Sequence, residues 1–138
     1  LSTLEHVGLD NRGYGGAGGR APDPGAEAVA AMRELQRVTR AGGTLLLSVP
    51  VGARSNRGWF RIFDKEELER LMTVPGWRCN ELRIFRAGRE GWRETSMDAA
   101  AAAGYNEPPG HGSRTAPPWV AAAEAVALVE LTRTDGSP

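Results

Sequence analysis

Residues 27–52 hold a helix, a stop, a strand and an exit in immediate succession, and this order limits the fold more than any other part of the chain. Val29, Met32, Leu35 and Val38 recur at three- and four-residue spacing, with Arg33, Glu34 and Arg37 on the other side. That is a helix with one stripe to bury. Gly42 and Gly43 follow as its stop, since glycine accepts the left-handed backbone that ends helices. Leu45, Leu46, Leu47 and Val49 then run without alternation, as expected of a strand covered on both faces by helices. Pro50 and Gly52 end it. A helix turned directly into a buried strand belongs to an α/β layer architecture.

The flanking segments extend this pattern. Asp23 is placed to cap the helix, with Pro24 in the first turn, where its missing amide hydrogen costs nothing. Asp64 repeats the signal with Glu67 in the capping-box position, and Leu68, Leu71 and Met72 give that shorter helix its buried face before Pro75-Gly76. Trp77–Arg86 reads as a strand in which Leu82 and Ile84 alternate with Glu81 and Arg83, and Ala125–Thr132 reads as another. We expect helices 23–40 and 64–72 on opposite faces of the sheet. Strands 44–49 and 77–86 are expected to be parallel through a right-handed crossover, with the last strand antiparallel between or beside them. Strand 44–49 carries no charge to protect an edge, so something should pair with it.

Two stretches resist this reading. The chain before Asp23 is a long glycine-rich loop through Gly13–Gly19. Residues 87–124 read as an irregular insertion: Ala99–Ala103 suits a short helix, whereas Pro108-Pro109-Gly110 and Pro117-Pro118 demand turns.

A chain of 138 residues fits one domain, burying roughly two-thirds of its extended surface. Its 17 basic and 17 acidic residues cancel, so no global field draws it to nucleic acid or anionic lipid. Trp77, Trp92 and Trp119 are interspersed with Arg78, Arg93 and Arg114, but they form no continuous basic stripe. Cys79 is the single cysteine, which excludes an intrachain disulfide and a cysteine zinc cluster. No apolar run approaches the length that spans a bilayer, and a cytoplasmic setting is the expectation. The first residue is Leu1 rather than methionine, which fits a start inside a longer product or the processing of one.

Few residues carry recognisable chemistry. Glu5 and His6 stand beside Ser2 and Thr3 just before glycine-rich backbone, a suitable place for polar groups at the carboxyl end of a strand. His6 can accept a proton near neutral pH; a hydrogen bond to the loop it opens is the structural alternative. Trp59, Arg61 and Asp64, with Asn56 and Arg57, follow the Pro50-Gly52 exit and are candidates for a pocket mouth; packing of Trp59 beside Phe60 and Phe63 is the structural alternative. His6 and His111 alone make no metal site, and no metal is expected. Gly13–Gly19 lacks the spacing of a dinucleotide fingerprint and the ending of a phosphate loop, which disfavours a nucleotide-binding module.

Four stretches together resemble the carboxyl half of class I S-adenosylmethionine-dependent methyltransferases: Leu1–Gly16, Met32–Gly52, Arg57–Met72 and Ala125–Arg133. More narrowly they resemble methyltransferase-like proteins associated with surface glycan modification. The resemblance implies a partial Rossmann-like α/β sheet. Residues 44–49, 77–86 and 125–132 would be the family's fifth, sixth and seventh strands, with the seventh antiparallel between the other two. Leu1 would lie near the end of the fourth, and the first three would be absent. With those go the glycine-rich loop and the acidic strand end that normally hold S-adenosylmethionine. The resemblance leaves Glu5 and His6 on the cofactor side, His6 as a base toward a hydroxylated small-molecule or glycan acceptor, and Trp59, Arg61 and Asp64 on the acceptor side. A preceding half, a second copy or another protein would then cover strand 44–49. The alternative is a noncatalytic interaction module that has kept the sheet and lost the cofactor half.

Overall fold

The computed structural model describes residues 3–10, 12, 19, 21–106 and 123–134. The expected turns at Gly13–Gly18 and 108–118, with His111, Arg114 and Trp119, lie outside the described residues. After an opening 3-10 turn at Leu4–His6 come α1 (Pro24–Val38), β1 (Thr44–Pro50), β2 (Ser55–Asn56), β3 (Arg61–Ile62) and α2 (Lys65–Met72). β4 (Trp77–Gly88), β5 (Gly91–Thr95), α3 (Met97–Ala100) and β6 (Ala125–Arg133) complete the order.

The architecture is mixed α/β, with one sheet in the order β1-β6-β4-β5 and a small β2-β3 ribbon. β6 runs antiparallel to both β1 and β4, with Leu47 opposite Val129 and Val129 opposite Leu82. β1 and β4 are therefore parallel to each other, and the last strand separates them. Among the described residues β1 is the end strand of this sheet.

Both helices begin where the sequence places their caps. Asp23 accepts from the amides of Gly25 and Ala26 at 3.0 and 3.1 Å, and Asp64 accepts from Glu67 at 2.8 Å. α1 ends earlier than its glycines: Thr39 closes it, with its hydroxyl on the Leu35 carbonyl, and Gly42 at φ 69° makes the following turn into β1.

The helices do not divide between the faces as expected. α1 and α2 pack on each other, and Ala28, Met32, Leu68 and Leu71 share one core with Leu47, Val49, Val129, Leu131 and Ile84. The Trp77 indole donates to the Met32 carbonyl at 3.0 Å and ties the start of β4 to α1. Each large side chain in this core contributes about 1.5–3 kcal/mol by leaving water. The unbroken leucine run of β1 is therefore covered on one side only. Leu47 is 2% exposed, whereas Leu46 is 64% exposed and Leu128, beside it on β6, is 43% exposed.

Residues 87–106 are more regular than an irregular insertion. β4 and β5 form a hairpin in which Phe85 opposes Glu94 and Ala87 opposes Trp92, and Ser96 caps α3. Exposed charges hide this hairpin from a reading based on alternation; Arg83 lies over the Phe85 ring at 5.0 Å and pairs with Glu94 at 2.7 Å. Among the described residues no helix is long and apolar enough to cross a membrane.

Candidate functional site

The opening turn and the loop before β3 meet at the carboxyl end of β1. Three contacts tie them together. Asp10 donates its amide to the Gly58 carbonyl at 2.9 Å, the Arg61 guanidinium donates to the Val7 carbonyl, and His6 Nδ1 lies 2.8 Å from the Trp59 carbonyl oxygen. A carbonyl oxygen only accepts, so His6 carries a proton on Nδ1. In the neutral ring that leaves a lone pair at Nε2.

The exit from β1 forms the adjoining wall. Gly52 donates to Phe63 and Ala53 donates to Ala103, which brings the segment leading to Tyr105 against the strand end. Gly52 sits at φ 148°, and a Cβ there would lie 2.1 Å from the Ala103 oxygen. Only glycine permits this approach. Tyr105 bridges to Ala123 beyond it.

Between these walls lies a cleft of about 260 Å³ lined by Glu5, His6, Ser48, Pro50, Trp59, Phe60, Tyr105 and Val126. Its aromatic side is continuous. The Trp59 and His6 rings stack with centroids 5.4 Å apart, Trp59 meets Phe60 edge-on at 4.5 Å, and Phe60 meets Tyr105 at 4.1 Å. Phe60 is buried, while Trp59 is 39% exposed and stands at the opening. Glu5 is buried, with Oε1 3.9 Å from His6 Nε2.

Three of the five candidate residues, Glu5, His6 and Trp59, therefore come together, and two do not join them. Arg61 is buried, reaching the Val7 carbonyl and the face of Phe63, where it braces the site from behind. Asp64 caps α2 and lies 4.0 Å from Arg54, which also pairs with Glu67 at 3.1 Å. Neither lines the cleft. Sequence reasoning does not single out Ser48 or Tyr105. Ser48 is the single polar side chain in the β1 run after Thr44, a signal that was present, whereas Tyr105 falls in a segment without periodicity.

The Arg12 guanidinium holds the Asp10 carboxyl below its ordinary range, Arg83 does the same to Glu94, and burial pushes the Cys79 thiol up. A second depression of about 300 Å³ lies on the open sheet face among Leu46, Ser48, Arg83 and Leu128. It holds no convergent acid–base pair comparable to Glu5 and His6.

The residues present do not by themselves fit S-adenosylmethionine. α1 is entered through Asp23-Pro24, and α2 follows the two-residue β3 and Asp64. Neither entry is a glycine-rich turn from strand to helix, the element that cradles such a cofactor. Comparison with protein-family models, with curated proteins and with solved structures finds no match to this chain.

Proposed function

We propose that the chain is the carboxyl-terminal part of an S-adenosylmethionine-dependent methyltransferase domain, and that the cleft under Trp59 is its methyl-acceptor side. The observation that carries this reading is the antiparallel insertion of β6 between the parallel strands β1 and β4. That is the arrangement the resemblance implies for the family's last three strands.

The common face of α1 and α2 adds support. Successive right-handed crossovers advancing in one direction keep their helices on one face. The α2 crossover advances from β1 past β6 to β4, so a strand feeding α1 by the same rule belongs beyond β1 and parallel to it. The opening turn, which packs beside β1, is positioned to follow such a strand. In an open α/β sheet, ligands bind outside the carboxyl ends of the strands, where Glu5, His6 and Trp59 line the cleft. The cofactor belongs to a preceding half.

Within this reading His6 Nε2 receives a proton from the acceptor, while the Trp59 carbonyl fixes the ring. Trp59 and Tyr105 orient the acceptor, and Arg61 and Asp64 maintain the walls. Transfer of a labelled methyl group by the product encoded with the sequence upstream of Leu1 tests it, with His6→Ala as the comparison. A loss of about 10²-fold or more is expected for removing a general base; an unchanged rate at saturating acceptor removes His6 from the chemistry. A noncatalytic interaction module is the second reading, favoured by the exposed Leu46 and Leu128 on the open sheet face. It predicts no transfer from any product containing this chain.

A further inference from the structure

The open face of the sheet sets opposed carboxylates beside exposed leucines. Leu46 on β1 and Leu128 on β6 are diagonal neighbours, since Leu46 faces Glu130 and Ser48 faces Leu128 across the ladder. On the other side of β6, the register places Glu81 of β4 directly opposite Glu130, where the ladder shifts after Cys79. Like charges opposite each other on neighbouring strands are destabilising. Both carboxylates and both leucines line the depression of about 300 Å³ on this face.

The described neighbours leave these two charges uncompensated. Glu130 accepts from the neutral Asn80 amide at 2.9 Å, and Arg78 is held on the Asn80 side-chain oxygen at 3.4 Å. Arg83 is the basic residue among those lining the depression. Its guanidinium donates to both Glu94 oxygens, at 3.1 and 2.7 Å, and stays 3.9 Å from Glu81. The depression therefore has apolar walls and a negative field.

A cation entering between Glu81 and Glu130 separates the like charges, and apolar groups on either side of it cover the leucines. One face of an amphipathic helix supplies that combination, because residues three and four apart align along it. Helices are also the elements that cover sheet faces in α/β layers, and α1 and α2 occupy the opposite face. A second copy set on this face about a two-fold axis would bring acidic patch to acidic patch.

We propose that the open face docks an amphipathic helix of a partner protein, with an arginine or lysine of that helix between Glu81 and Glu130 and its apolar neighbours on Leu46 and Leu128. The docking requires no methyl transfer. The leucines supply area and the carboxylates supply selectivity.

The test uses the 138-residue chain and three synthetic helical peptides of about 18 residues. They share one leucine stripe and carry arginine, glutamine or glutamate at its centre. Calorimetry at low ionic strength ranks them, and NMR shifts of the Leu46 and Leu128 amides locate the contact. The arginine peptide is expected to bind about tenfold or more tightly than the glutamate peptide. Joint Glu81→Gln and Glu130→Gln substitution should abolish the ranking, and Leu128→Ser should weaken all three peptides. Equal affinities on the unaltered chain, a ranking that survives the joint substitution, or no binding overturns the proposal. Thermal melting checks each variant, and the ranking on the unaltered chain decides if one does not fold. Sedimentation that shows the chain alone as a dimer, dissociated by Leu128→Asp, assigns the face to a second copy and also overturns it.

Discussion

Replacing Gly52 by alanine tests the close backbone approach that forms the back of the cleft. The residue sits at φ 148°, and its new Cβ would fall 2.1 Å from the Ala103 oxygen and 2.8 Å from its carbonyl carbon. Both neighbours are backbone, so no side-chain rotation relieves the clash. Backbone strain of this kind costs about 1–3 kcal/mol. Moving Ala103 away also breaks its hydrogen bond from Ala53 at 2.9 Å, worth about 1 kcal/mol. The sum is about 2–4 kcal/mol. Gly58→Ala is the matched control: Gly58 has φ 89°, but the methyl group that alanine adds there would have no atom within 4 Å. It carries only the left-handed strain, about 1–2 kcal/mol. Urea denaturation of both variants, followed by tryptophan fluorescence, gives the difference directly. A Gly52→Ala loss no larger than that of Gly58→Ala would falsify the close approach, and with it the placement of Tyr105 against the strand end.

Adjacent leucines of β1 provide a test of which sheet face is the core. Leu47→Ala should lose about 2–5 kcal/mol, whereas Leu46→Ala should stay within about 0.5 kcal/mol of the parent; equal losses in denaturation would mean that the open face is covered. Trp77→Phe should lower stability by about 1–2 kcal/mol through the lost bond to Met32, measured by thermal melting, and an unchanged midpoint would contradict that tie between α1 and β4. Glu94 should titrate below an ordinary glutamate because Arg83 favours its charged form, and Arg83→Gln should return it toward the ordinary range. The sign follows from the lowered folded value: the pair's contribution is present above the unfolded pKa and disappears as pH falls through the folded one. NMR titration of the Glu94 carboxyl that is the same in both proteins would refute the pairing.

The sequence was most readable where one residue type serves one physical need. Asp23 and Asp64 announce helix starts because a short acceptor is what unpaired amides require. The positions of β1, β4 and β6 follow from their apolar residues, but the distribution of helices does not. A leucine run looks the same whether both faces are covered or one is open, so Leu46 could not be told from Leu47 by periodicity. The β4-β5 hairpin was obscured because cross-strand pairing of Arg83 with Glu94 leaves a polar sequence. At the site, the local setting of Glu5, His6 and Trp59 was informative. Arg61 was harder to assign because its buried contact with Val7 depends on a residue brought close only by the fold, and Asp64 carried two readings, helix cap and pocket residue, of which the cap is the one its local contact with Glu67 fulfils.

Isothermal calorimetry with S-adenosylmethionine tests the central claim most directly, comparing the product encoded with the sequence upstream of Leu1 with the 138-residue chain. The account predicts saturable binding at one site by the longer product and none by the shorter one. Absence of binding by the longer product, or equal binding by both, would contradict it.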